Sequence, residues 1–170
     1  MMDLLDFDQA ELYFDEPLAQ DVARLLVQAA DTYGSEESEG YLLRANLMAP
    51  QHLMVLVALY RYYFYQHRLD DALLVAESAL AVVGRRLEFP DTWSNLREEN
   101  IGAGVIRSMG LVRFYLRVLK AAGYINLRLG NRETGRAMLE KLVQLDSHDR
   151  MGGKALLEVM TEVEHEERNT

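Results

Sequence analysis

The feature that most constrains this chain is a recurrence. Laid over residues 67–85, residues 33–51 bring Ser38 onto Ala72, Leu42 onto Ala76, Ala45 onto Ala79 and Pro50 onto Gly84, a shift of 34. The same shift carries Val22 onto Leu56, Leu25 onto Leu59 and Ala29 onto Tyr63. Further on, "RLGNRETG" (128–135) matches "YQHRLDDA" (65–72) at a shift of 63, which is 34 plus an insertion of 29. Gly130 then falls on His67 and Gly135 on Ala72. A period in this range means that one supersecondary unit is copied and stacked, because a single copy cannot bury its own apolar face.

The copied unit is helical. Leu18, Val22, Leu25, Leu26 and Ala29 follow the helical period, as do the runs 36–48, 51–66 and 70–83, with Pro50 and "HRLDD" as interruptions. Three prolines and eleven glycines in 170 residues favour long helices over many short strands. Helix pairs are expected at 17–48, 51–84 and 105–146. After Asp149, Leu156, Leu157, Met160 and Val163 share one face and glutamates occupy the rest, the polar-backed pattern that closes a helical array. A cap is expected at 151–166.

A 34-residue helix–turn–helix unit resembles the tetratricopeptide repeat (TPR), over roughly 19–86 and 116–149. The third unit carries the likeness best: Gly123 on the small residue of its first helix, Gly130 in the turn, and "VQLDSHD" (143–149) as the repeat ending. Leu59, Tyr63, Ala72 and Ala79 fill core positions in the second. Tyr60 and Leu142 replace small residues, and Gly84 and Ser147 stand where a proline is usual. The resemblance implies an all-α, TPR-like α-solenoid of about three helix pairs with a C-terminal capping helix. It divides into an acidic segment 1–16, a repeat domain 17–150 with an insertion at 87–115, and a capping helix and tail 151–170. The competing reading is an amphipathic helical bundle, which gives partial matches of the same sort.

The segment "LYRYYFYQH" (59–67) points aromatic rings all round a helix. In a stacked array the first helix of a middle repeat is contacted nearly all round, and its remaining side lines a concave groove. Leu56, Leu59, Tyr60 and Tyr63 read as core. Met54, Val57, Arg61, Phe64 and Tyr65 take the positions that the TPR resemblance turns toward the groove. The same positions in the third unit are Arg117, Lys120, Tyr124, Leu127 and Arg128; in the first they are Gln20, Ala23, Val27, Ala30 and Asp31. The expected groove thus holds Arg61, Arg117, Lys120 and Arg128 beside Phe64, Tyr65 and Tyr124. Arg and aromatic side chains dominate binding hot spots, and Arg offers a fork for carboxylates. The expected ligand is an acidic, partly apolar peptide or helix of another protein. Val27 and Ala58 stand where a chaperone-tail carboxylate clamp has asparagines, which disfavours that partner.

The insertion suggests a second surface. Residues 87–104 read as a loop with a short helix at 92–99, and 105–129 as one long helix. Val105, Ile106, Met109 and Val112 are expected to be buried either against the 87–103 insertion or, with Phe89 and Trp93 before them, in a subunit interface; the second makes a homo-oligomeric structural adaptor, such as a homodimer, the alternative. The chain also resembles small bacterial TPR proteins associated with nitrogen-fixation gene clusters, which implies an accessory role around metalloenzyme assembly.

The net charge of −9 argues against general nucleic-acid binding. It hides an asymmetry: residues 1–50 net −9 and residues 101–150 net +5. With no Cys there is no disulfide or thiolate site. An acidic N-terminus and a longest uncharged stretch broken by Asn46, Pro50, Gln51 and His52 predict neither a signal peptide nor a membrane span, hence a cytoplasmic protein. His52, His67, His148 and His165 make no i, i+4 pair, "DSHD" (146–149) reads as a solvated turn, "GAG" (102–104) lacks a phosphate-loop context, and no serine sits in G-x-S-x-G. No enzyme activity, metal or cofactor is expected. Finally, "DLLDFDQAELYFDEP" (3–17) alternates acids with Leu4, Leu5, Phe7, Leu12, Tyr13 and Phe14. It reads either as a leading capping helix on the first repeat or as an internal competitor for Arg61, Arg117, Lys120 and Arg128.

Overall fold

The computed structural model describes residues 16–169, and among them are seven α-helices and no strand. The chain divides into two compact units, Met1–Val82 and Val83–Thr170.

The first unit holds α1 (Gln20–Asp31), α2 (Glu36–Met48), α3 (Leu53–Tyr65) and most of α4 (Leu69–Arg86). α1 packs on α2 and α2 on α3. Val22, Leu25, Ala45 and Val55 form a core cluster, covered by Leu18, Leu26, Tyr41 and Ala49. Ser38 is buried where α1 and α2 meet, and its Oγ donates to the Ala29 carbonyl at 2.8 Å. The hydroxyl thereby finds the partner that a buried polar group requires. His52 starts α3: its Nδ1 accepts from the Met54 N–H at 3.3 Å, and its Nε2 lies 3.3 Å from the Glu16 carbonyl. A charged network ties α2 to the α3–α4 turn. Tyr63 donates to Glu39 Oε1 at 3.1 Å, and Arg68 donates to Glu39 Oε2 at 2.7 Å and to Asp71 at 2.8 Å. The Arg68 guanidinium also lies 4.6 Å from the Tyr63 ring centre.

The second unit holds the end of α4, a 3-10 turn (Trp93–Asn95), α5 (Glu98–Arg128), α6 (Arg132–Leu145) and α7 (Gly153–Arg168). α5 packs on α6 and α6 on α7. The insertion folds onto this unit through buried Leu87, Phe89 and Leu96. Phe89 meets Tyr115 edge-on at 5.1 Å and lies so close to Gly104 that a Cβ there would come within 2.8 Å of its ring. Lys141 donates to the Leu96 carbonyl at 3.0 Å.

Two details depart from the sequence reading. The helix expected at 92–99 is the 3-10 turn alone, after which α5 begins at Glu98. α5 is also not one straight helix from residue 105, since Ser108 has extended dihedrals (φ −163°, ψ 104°). Its Oγ accepts from the Leu111 N–H at 3.2 Å, so Ser108 acts as a cap inside the element and starts a new helical stretch.

The recurrence reappears in burial. Ser38, Leu42 and Ala45 of α2 are buried, as are Ala72, Ala76 and Ala79 of α4 and Gly135, Leu139 and Leu142 of α6. The matching positions of the preceding helices, Val22/Leu25/Ala29, Leu56/Leu59/Tyr63 and Leu119/Ala122/Asn126, are buried as well. The turns aligned at a shift of 63 are made alike. His67 (φ 59°) and Gly130 (φ 84°) are both left-handed. The Arg68 N–H bonds the Tyr63 carbonyl at 2.9 Å and the His67 N–H bonds Phe64 at 3.1 Å, while Asn131 bonds Asn126 at 2.8 Å and Gly130 bonds Leu127 at 3.1 Å. Both are Schellman motifs, in which two otherwise orphaned helix carbonyls are satisfied. Glycine suits that conformation at 130; at 67 a histidine bears its steric cost.

Burial of Tyr115 pushes its phenol up to about 12. The group stays neutral in the folded chain after the unfolded one begins to ionise near its ordinary value of about 10. The native state then binds more protons, so stability is fully present below pH 10 and is lost as pH rises toward 12. A shift of this size corresponds to about 2–3 kcal/mol. Urea titrations at pH 9 and pH 11.5 should show a steeper loss for wild type than for Tyr115→Phe; equal losses would contradict the assignment.

Candidate functional site

Each unit presents a cleft along its helices, and the two share a residue pattern. In the first unit, a cleft of about 420 Å³ is walled by Arg61, Tyr62 and Tyr65 of α3 and by Tyr33 after α1. Leu26, Ala29, Ala30, Leu42 and Ala58 give it an apolar floor. Tyr33 meets Tyr62 edge-on at 6.2 Å. Arg61 and Tyr62 are half-buried, and Tyr33 and Tyr65 are exposed. Arg61 and Tyr65 are four apart on one helix, a spacing that puts both on one face.

In the second unit, a cleft of about 260 Å³ runs between the end of α5 and α7. Tyr124, Leu127 and Arg128 line one side, and Leu156, Val159, Met160 and Val163 the other, with Arg132 and Glu164 at the rim. Arg128 donates to the Tyr124 hydroxyl at 3.0 Å, with its guanidinium 5.7 Å from that ring's centre. Arg132 forks onto Glu167 at 2.5 and 2.7 Å, and Arg136 bonds Glu164 at 2.5 Å. Among the described residues Arg128 has no carboxylate partner. At the shift of 63, Arg61 and Tyr65 correspond to Tyr124 and Arg128. The same two chemistries therefore recur at the same two positions in reversed order.

Of the seven groove residues read from sequence, four line these clefts: Arg61 and Tyr65 in one, Tyr124 and Arg128 in the other. Phe64 does not. It is fully buried, stacked on Tyr60 at 5.7 Å and edge-on to Tyr65 at 5.9 Å, so it is core. Val57, placed on the same face by the helical wheel, is also buried. Arg117 is half-buried on α5 and lines neither cleft. Lys120 is half-buried beside the α6–α7 turn, where a Cβ on Gly152 would lie 3.6 Å from its Nζ. Burial lowers its ammonium pKa, and Asp149 partly counteracts this. Sequence reasoning missed Tyr33, Tyr62 and Val159. Tyr33, which the sequence reading puts at the end of the first helix, lies beyond the positions that the repeat carries toward the groove, and Val159 flanks the Leu156, Leu157, Met160 and Val163 face read from the sequence.

The interface read from sequence is also revised. Phe89 and Val112 are buried within their own unit and are not available to a second subunit. Trp93 is half-buried in the 3-10 turn. Val105, Ile106 and Met109 are exposed, Ile106 at 89%. Glu88 pairs with Arg107 beside them. The acidic segment 3–17 lies outside the described residues apart from Glu16 and Pro17.

No metal-competent group of three or more His, Cys, Asp or Glu occurs among the described residues. The "DSHD" turn satisfies itself locally: Asp146 accepts from the Met151 N–H at 2.7 Å and Asp149 from the Lys154 N–H at 3.2 Å. No helix among the described residues is long and apolar enough to cross a membrane.

No family model matches the chain, and no solved structure matches it. A protein of Azotobacter chroococcum mcd 1, described as "Uncharacterized 19.8 kDa protein in nifW 5'region", is 49% identical to it over 161 residues. The chain belongs to that protein's family. The match covers 95% of this chain and 90% of the relative.

Proposed function

We propose that the chain is a TPR-like helical repeat module that binds an acidic, partly apolar peptide or helix of another protein. The observation that carries this reading is the pair of clefts whose walls hold Arg and Tyr at equivalent positions, Arg61/Tyr65 and Tyr124/Arg128. The recurring burial pattern and the two matched Schellman turns support the repeat. A cation beside an aromatic ring over an apolar floor suits a ligand that brings carboxylates and leucine- or phenylalanine-like side chains together. The relative's printed name sets its gene region beside nifW. That supports a place for this chain among bacterial, cytoplasmic accessory factors of nitrogen-fixation metalloenzyme assembly, acting as an adaptor rather than an enzyme.

A peptide-display selection tests the reading. Wild-type chain should enrich sequences that combine Asp or Glu with Leu or Phe, and Arg61→Glu/Arg128→Glu should lose them while keeping its helical circular dichroism. Selection of basic sequences, or retention by the double variant, would contradict it. A second reading rests on exposed Val105, Ile106 and Met109: a homo-oligomeric adaptor joined through that patch. Ile106→Glu/Met109→Glu would then lower the mass in light scattering without touching peptide selection.

A further inference from the structure

The cleft of the second unit is small for a metabolite and shaped for side chains. At about 260 Å³ it falls just below the roughly 300–1,000 Å³ of small-molecule pockets. On α7, Leu156, Val159, Met160 and Val163 repeat at i, i+3, i+4 and i+7, and Val159 and Val163 stay 57% and 43% exposed. An apolar stripe of this spacing is left open on an otherwise glutamate-rich helix. At the rim, Arg132 and Arg136 are matched by Glu167 and Glu164, whereas among the described residues Arg128 meets a tyrosine and no carboxylate. The occupant that completes this cleft brings apolar side chains for the stripe and a carboxylate for Arg128.

The chain's own sequence contains such a segment. "DLLDFD" (3–8) sets Leu4, Leu5 and Phe7 among Asp3, Asp6 and Asp8 with no base, and it lies outside the described residues. Charge favours the match at one wall alone: residues 1–50 carry −9, and Tyr124, Leu127, Arg128 and Arg132 lie in the stretch with net +5, whereas α7 brings apolar side chains from a stretch with net −3. We infer that residues 3–8 of one copy dock in the α5–α7 cleft of a second copy, with a carboxylate on Arg128 and the apolar side chains against Val159 and Val163. The contact is head-to-tail: the donating surface differs from the accepting one, so it propagates unless it closes into a ring. The inference rests on the peptide-binding reading of this cleft and names one ligand for it. It also gives that ligand a role, since a self-docked segment would compete with any external acidic peptide.

The test uses full-length protein. Light scattering across a concentration series should show wild-type mass rising with concentration. Arg128→Glu and, separately, Asp6→Lys/Asp8→Lys should each stay monomeric where wild type associates. The two variants mixed in equal amounts should then form dimers but nothing longer, because the first still has an intact segment and the second an intact cleft. Arg85→Glu, an exposed position on α4 that lines neither cleft, should leave association within about twofold of wild type. A wild-type chain that stays monomeric, or association that survives both charge reversals, overturns the inference. In either case the display selection separates the failures. If selected acidic peptides still bind and are lost with Arg128→Glu, the cleft is a peptide site with another ligand. If none bind, the reading of the cleft falls as well.

Discussion

Phe64→Ala is expected to lower the stability of the first unit by about 3–5 kcal/mol, the cost of deleting a large, fully buried aromatic side chain. Phe64 is shielded completely and touches two rings, Tyr60 and Tyr65. Truncation removes both ring contacts and leaves a void that α3 cannot close alone, since its neighbours Leu59, Tyr60 and Tyr63 are already packed. Tyr65→Ala, one position on, should cost far less, because Tyr65 is 38% exposed and stands on the cleft wall. The two adjacent substitutions thus separate core from site: the first moves a urea midpoint strongly, and the second moves peptide affinity more than stability. Comparable midpoints for the two variants would contradict the burial described for α3.

Gly135→Val is expected to be nearly as damaging, at about 3 kcal/mol or more. Even a bare Cβ at this position would lie 2.6 Å from Leu127 Cδ2 and 2.9 Å from the Gly123 carbonyl oxygen. The leucine tip can turn aside, but the backbone oxygen cannot, so α5 and α6 must separate. Overpacking of this kind costs typically 1–3 kcal/mol for added methylenes, and a β-branched side chain adds bulk on both sides. Gly135→Ala should cost less, since alanine regains about 1 kcal/mol of helix propensity over glycine. Thermal melts followed by circular dichroism check the order: wild type above Ala above Val. The equivalent positions in the other pairs, Ser38 and Ala72, are small and buried too, which is what a recurring close approach of paired helices demands.

Much of this was legible in the sequence. The 34-residue spacing marks the helix pairs and their small buried positions, because helix packing repeats with the chain and leaves its trace in residue size. The turn alignment of His67 with Gly130 holds in backbone conformation. What failed had specific causes. A helical wheel assigns Phe64 to a face but cannot say which neighbour covers that face. Ser108 breaks α5 by accepting a backbone hydrogen bond, and serine carries no breaker signal of the strength of glycine or proline. Of the two covers expected for 105–112, the insertion takes only Val112, which meets Gly104 together with Phe89, and Val105, Ile106 and Met109 stay open, because the reach of a loop over a helix depends on close contacts that no local pattern records. Of the cleft walls, Arg61, Tyr65, Tyr124 and Arg128 are legible by carrying positions between units. Tyr33 and Tyr62 were not, since their meeting joins a turn to a helix distant in sequence.

The central claim is that the two Arg–Tyr clefts are where a partner peptide binds. Amide and methyl spectra of the full-length, isotopically labelled chain, titrated with the strongest acidic–apolar peptide from the display selection, test it most directly. The account predicts saturable shifts centred on Tyr33, Arg61, Tyr62 and Tyr65, and on Tyr124, Arg128, Val159 and Val163. Shifts confined to Val105, Ile106 and Met109, or the same shifts persisting in Arg61→Glu/Arg128→Glu, would contradict it.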